Sequence, residues 1–260
     1  MELTGAFFRP TRQGLAPAPE AHSPWSTDML HGRLLAGLAA RAVELDHSEE
    51  GFTPARLTVD LFRSPPMAPV GVASRLVRAG GRVRVAEVIL TISEVEVARA
   101  SAVLLRRSEP PTGRVWAPPT WSAPPPEVVA PPPDEPGRRF PMDLRPMTPG
   151  GFWAFAQKRL WAREVRALVE DEEPSPFVRV SAAADLANPL SNSGEHGLAF
   201  INADLSVYLA RPPGDEWVGL EVSGHVADGG TAVGWCNLYD RQGPIGQCTV
   251  CSVANPRLSG

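Results

Sequence analysis

The same plan is written twice along this chain, and that duplication limits its fold more than any other feature. Residues 55–66 read ARLTVDLFRSPP and residues 202–213 read NADLSVYLARPP. Apolar residues alternate in both, Leu57, Val59 and Leu61 in one and Leu205, Val207 and Leu209 in the other, and a Pro-Pro pair ends each run. Period-two alternation closed by a turn is a half-buried strand. The segments 70–78 and 217–226 supply the next strands. Each leads to a glycine pair, Gly80-Gly81 and Gly229-Gly230, suited to a hairpin turn that needs positive φ. Two more apolar strands follow in each copy, over 83–92 and 95–105, then over 232–239 and 245–253. Pro65 and Pro212 are 147 residues apart and Gly80 and Gly229 are 149, the difference fitting the loop Gly214-Asp215-Glu216.

A helix precedes each strand block. Ser26-Thr27-Asp28 offers caps for a helix over 29–45, with Leu34, Leu35, Leu38, Ala42 and Leu45 at helical spacing. In the second copy the sequence predicts a strand-like stretch over 151–169 and a shorter helix over 177–186, opened by Pro174 and Pro176 and ended by Pro189. The fold class is therefore α+β and duplicated, an antiparallel sheet wrapped around one helix in each copy. Between the copies, 11 prolines fall from Pro110 to Pro136. Proline fixes φ and removes the amide donor, so this stretch reads as a semi-rigid connector. The expected organisation is an N-terminal unit over 1–109, a linker over 110–140 and a C-terminal unit over 141–260.

Composition closes off several classes. Apolar residues are 43%, charged residues 21% and the net charge is −4, without the basic excess of a nucleic-acid binder. No apolar run is long enough to span a bilayer, and the start MELTG lacks a signal-peptide pattern, so a cytoplasmic location is expected. Three cysteines, Cys236, Cys248 and Cys251, cannot close a disulfide framework. The C-x-x-C pair Cys248/Cys251 reads as two thiols on a buried strand, and the run Asp171-Glu172-Glu173 as a solvated loop, not a metal site. The histidines at 22, 47, 196 and 225 show no ligand spacing, and the tryptophans at 116, 121, 153, 161, 217 and 235 read as core and linker anchors.

The second copy resembles the acyl-CoA thioesterase II type of double-hotdog enzyme. The segments that carry this are PMDLRP at 141–146, RLWAR at 159–163, ADLANP at 184–189, LARP at 209–212 and GQCTVC at 246–251, and residues 30–107 resemble that family's N-terminal unit. The resemblance implies hydrolysis of acyl-CoA thioesters without metal or redox cofactor. In that family an aspartate on the second helix, a Thr or Ser and a Gln hold the attacking water. These positions fall here on Asp185, Asn202 and Cys251. Asn202 bonds water without a hydroxyl, and the Cys251 thiol is a weak partner; a slip of one or two residues would bring Thr249 or Ser252 in instead. His31-Gly32 is similar to the His-Gly motif of single-hotdog thioesterases, with His31 expected to cap or line the site.

Hydrolysis needs a positioned water, a base and donors for the oxyanion. Asp185 stands among Ala182, Ala183, Ala184, Leu186 and Ala187, where desolvation should raise its basicity. The first copy has only Leu35-Ala36-Gly37-Leu38-Ala39 at the place matching Asp185, so one active site is expected. The partner implied is acyl-CoA, its phosphates drawn to Arg56, Arg63, Arg75, Arg78, Arg82 and Arg84, with self-association through sheet packing and no nucleic-acid partner. Two other readings stand beside this one. An enoyl-CoA hydratase would need an Asp-x-Asn-Pro-x-His element, but the spacing after Asp185 is one residue too long and Ser191 replaces the histidine. A non-catalytic acyl-thioester binder fits the replacements at Asn202 and Cys251.

Overall fold

The structure, a computed structural model, describes residues 3–132 and 141–256. Its elements in chain order are β1 (Ala6–Thr11), β2 (Gly14–Pro17), α1 (Gly32–His47), β3 (Phe52–Leu61), β4 (Val70–Ala79), β5 (Val83–Ile92) and β6 (Val95–Arg106). Then come β7 (Met142–Pro146), β8 (Arg159–Glu164), β9 (Ala167–Val169), α2 (Pro176–Ala183), α3 (Ala187–Asn192) and β10 (Phe200–Asn202). The last four are β11 (Asp204–Leu209), β12 (Trp217–Asp228), β13 (Thr231–Asp240) and β14 (Gly243–Ala254). These strands form one sheet in the order β9-β1-β2-β4-β5-β6-β3-β11-β14-β13-β12-β8-β7, with β10 also paired to β14.

The two copies meet at β3 and β11, which pair antiparallel. Thr58 lies opposite Ser206, their hydroxyls 3.0 Å apart and their positions 148 residues apart, within the repeat spacing. A residue paired with its own counterpart marks a local twofold axis, as at an isologous dimer interface. Outward from this seam each copy repeats one order, β3-β6-β5-β4 on one side and β11-β14-β13-β12 on the other. The inner face buries Leu57, Val59, Leu205 and Val207. On β6 it buries Ala98, Ala100 and Ala102, small enough for α1 to lie close. The duplicated α+β architecture and the two helix-wrapping sheets are as expected, merged through the seam into one surface.

The two helices cross beneath the sheet with each N-terminus facing the other's C-terminal end. Gly37 lies where they meet: a Cβ there would lie 3.3 Å from the Leu168 methyls of β9, a tight approach, and 3.7 Å from Ala182 Cβ on α2, an ordinary contact. Of the connector, residues up to 132 are described. Trp121 packs on Trp161 and edge-on to Tyr239, at centroid distances of 6.0 and 5.3 Å, and Trp161 Nε1 donates to the Pro124 carbonyl at 2.9 Å. Pro133 and Pro136 lie outside the described residues.

Three expectations are corrected. The first helix starts at Gly32, not 29, because 26–30 pairs as a strand with His22–Ser23 and His31 is the N-cap. The stretch 151–169 is not one strand: it holds a 3₁₀ turn at Gly151–Trp153 and then β8 and β9. Pro189 does not end the second helix. A 3₁₀ turn at Ala184–Leu186 restarts the helix as α3, which places Pro189 in a first turn, where a missing N–H costs nothing. The Lys158 ammonium then closes α3, donating to the carbonyls of Leu190 at 3.0 Å and Ser193 at 2.7 Å.

Candidate active site

The 3₁₀ turn carries Asp185. Pro189 has no N–H to return to the Asp185 carbonyl four residues earlier, and the backbone tightens there. The Asp185 carboxylate faces the N-terminus of α1 and is 13% exposed. Asn202, at the end of β10, donates its Nδ2 to Asp185 Oδ1 at 3.0 Å and to the Asp204 carbonyl at 3.3 Å. His31 Nδ1 lies 3.9 Å from Asp185 Oδ2 and accepts the Arg33 N–H at 3.4 Å, capping α1. Burial, with help from the Arg33 and His22 charges, holds this imidazole well below its ordinary pKa, which favours the neutral ring. The expected capping role is the one observed.

Burial pushes the Asp185 carboxyl above its ordinary range, opposed by the Asn202 hydrogen bond and by the Arg33 guanidinium. Arg33 is itself buried against Glu164. A carboxylate so placed is a stronger base than one in water, the property a water-activating group needs.

Cys251 is not part of this cluster. On β14 the residues 248, 250 and 252 are buried, while Cys251 is exposed on the opposite face with Val253. Its contribution is a backbone N–H donated to Asp204 Oδ1 at 2.6 Å. The C-x-x-C thiols thus occupy opposite faces of the strand, and only Cys248 is buried. A spacing of three along a period-two strand requires this. Thr249 shares the outward face. Ser252 is the residue brought inward: it lies directly opposite Asn202 and is 2% exposed. Its Oγ accepts Asn192 Nδ2 at 2.8 Å, Asn192 Nδ2 also donates to Asn188 Oδ1 at 2.9 Å, and His225 Nε2 meets Asn192 Oδ1 at 3.0 Å.

Residues 108–250 match the family described as acyl-CoA thioesterase C-terminal domain, and residues 21–105 match the acyl-CoA thioesterase N-terminal domain. The chain belongs to the acyl-CoA thioesterase family. Among solved structures it is similar to a tesB protein of Mycobacterium avium subsp. paratuberculosis, with TM-score 0.68 and 16% identity over 96% of each chain. It is also similar to the acyl-CoA thioesterase II TesB2 of Mycobacterium marinum, with TM-score 0.60 and 17% identity over 86% of this chain and 90% of that one. A hot-dog-fold protein of Alicyclobacillus acidocaldarius aligns with TM-score 0.67 and 14% identity over 92% and 91% of the two chains. No curated protein matches.

The local twofold axis relates this helix junction to a second one. The counterpart of His31, N-cap of α1, is Ser175, N-cap of α2, whose Oγ accepts the Val178 N–H at 3.1 Å. Facing Ser175 is a carboxylate: Ser175 Oγ donates to Glu44, whose pKa burial raises. Glu44 therefore stands to α2 as Asp185 stands to α1, where the sequence led us to expect only Leu35-Ala36-Gly37-Leu38-Ala39. Its surroundings differ. The repeat register puts Pro54 where the other copy has Asn202 and Leu104 where it has Ser252. Neither offers a side-chain hydrogen bond to water, which leaves Asp185 as the equipped carboxylate.

The remaining candidates resolve simply. Glu172 pairs with Arg41 and Glu173 with Arg179, and among the described residues no three metal-ligating side chains cluster. Of the six arginines, Arg56 donates to Ser101 Oγ, Arg75 pairs with Glu87 and Arg84 with Glu49, while Arg63, Arg78 and Arg82 are exposed. No helix among the described residues is long and apolar enough to cross a membrane.

Proposed function

We propose that this protein hydrolyses acyl-CoA thioesters to a free carboxylic acid and CoA, within the organisation 1–109, 110–140 and 141–260. A water bound beside Asp185 gives up a proton to the carboxylate as its oxygen attacks the thioester carbonyl. The first-turn amides and positive dipole end of α1 face the oxyanion that develops. When the tetrahedral intermediate collapses, the C–S bond breaks and the CoA sulfur takes the proton from Asp185. Asn202 holds the carboxylate in place, and His31, neutral at this position, lines the wall without competing for the proton. The exposed Arg63, Arg78 and Arg82 offer charge for the CoA phosphates.

The observation that carries this reading is the buried Asp185 carboxylate, fixed by Asn202 at the N-terminus of α1. Release of free CoA from a panel of acyl-CoA substrates, followed with a thiol reagent, tests it. A parent protein that liberates CoA and an Asp185→Asn variant that does not would support it; equal turnover by both would remove Asp185 from the reaction. A second reading, binding without hydrolysis, is favoured by the loss of the family glutamine at Cys251, and predicts protection from thermal unfolding by acyl-CoA with no CoA released. Hydration is disfavoured because Ser191, in place of a second acid–base histidine, donates its hydroxyl to the Ala187 carbonyl at 2.7 Å.

A further inference from the structure

We infer that Ser252 supplies the donor that orients the attacking water, and that Asn192 and His225 set the direction of its hydroxyl. The inference rests on the hydrolase reading and names the group that takes over from Cys251. Antiparallel partners project to one face, so the Ser252 and Asn202 side chains lie next to each other on the side that meets the helices.

Hydrogen-bond capacity fixes the direction of each bond. The two Nδ2 hydrogens of Asn192 go to Asn188 Oδ1 and Ser252 Oγ, and its Oδ1 is left as the acceptor for His225, which must carry a hydrogen on Nε2. Ser252 Oγ is thus an acceptor in its bond to Asn192, and its own hydrogen points elsewhere. At 2% exposure that hydrogen cannot turn to bulk solvent. Asn202 complements it, since its Nδ2 is engaged by Asp185 and Asp204 and its Oδ1 remains to accept.

A water between these groups is fully specified. It donates one hydrogen to Asp185 Oδ2 and the other to Asn202 Oδ1, and it accepts the Ser252 hydroxyl. One lone pair is left, aimed at the thioester carbon. Accepting from Asn192 polarises the Ser252 hydroxyl and strengthens it as a donor, so the chain His225–Asn192–Ser252 acts as a unit. Ser252 touches the reacting water and is catalytic; Asn192 and His225 are positioning residues.

Steady-state kinetics with acyl-CoA test this on the full chain. Ser252→Cys, nearly the same size with a weak donor, and Ser252→Ala should each lower kcat about 10- to 100-fold with KM within about twofold, the order expected for the loss of one hydrogen bond to the reacting water. Ser252→Thr, which keeps the hydroxyl, should recover most of the loss. Cys251→Ser should match the parent. His225→Leu should lower kcat severalfold at unchanged KM, while His225→Gln, which keeps an N–H donor, should not. Parent-like kcat in both Ser252→Cys and Ser252→Ala, in a protein that Asp185→Asn inactivates, would overturn the role of Ser252 and leave the hydrolase reading standing. Full turnover by Asp185→Asn would overturn both.

Discussion

Burial holds the Asp185 carboxyl above its ordinary range, so the folded chain binds a proton there at a pH where the unfolded chain has already lost it. Between the ordinary and the raised pKa, stability therefore falls as pH rises. Asp185→Asn removes the titration. Its melting temperature should equal the parent's below the ordinary aspartate pKa, about 3.9, and exceed it at neutral pH, by about 2–4 °C for each kcal/mol relieved. Over the same span kcat should fall by about 10²–10⁴-fold, because a positioned base contributes on that scale. In the parent, the acid limb of the kcat/KM profile should lie above the ordinary aspartate range, and a limb inside that range would contradict the burial effect. Glu44→Gln makes the opposite case: with Pro54 and Leu104 for neighbours it should leave turnover within about twofold of the parent, whereas a large loss would mean that both carboxylates work. Asp185 and Asn202 were legible in the sequence, one as an acid in an alanine run and the other through resemblance. Glu44 was not. It lies 141 residues before Asp185, off the 147–149 spacing of the repeat, so matching the copies at that spacing passes over it. Cys251 misled for a different reason: along a strand a slip of one residue moves a side chain to the other face, and the residue that faces inward beside Asn202 is Ser252.

At the scale of elements, the tightened turn between α2 and α3 decides where the carboxylate points. Pro189→Ala would return an N–H to the Asp185 carbonyl and let an ordinary α-helix run through 184–188. The melting temperature should stay close to the parent's, since proline in a first turn gives up no hydrogen bond, while kcat falls about tenfold or more as Asp185 rotates from Asn202. Unchanged kcat would show that Pro189 does not shape the turn. The strands were legible because alternation, Pro-Pro ends and Gly-Gly turns all agreed. The turn was not, because a proline reads equally as a stop and as a residue in the first turn of a new helix.

Across the whole molecule, one sheet passes without a break through the pairing of Thr58 with Ser206. The apolar residues beside it, Leu57, Val59, Leu205 and Val207, are buried from both copies. Thermal unfolding followed by far-UV and near-UV circular dichroism should give a single coincident transition. Two separated transitions would mean that the copies fold independently. The axis through this pair has a further consequence. In a symmetric assembly of two identical chains, a change at either helix junction is forced on both. Carried on one polypeptide, the junctions are free to diverge: one sets its acid beside an amide, and the other ties its acid to a serine hydroxyl at the next helix's start.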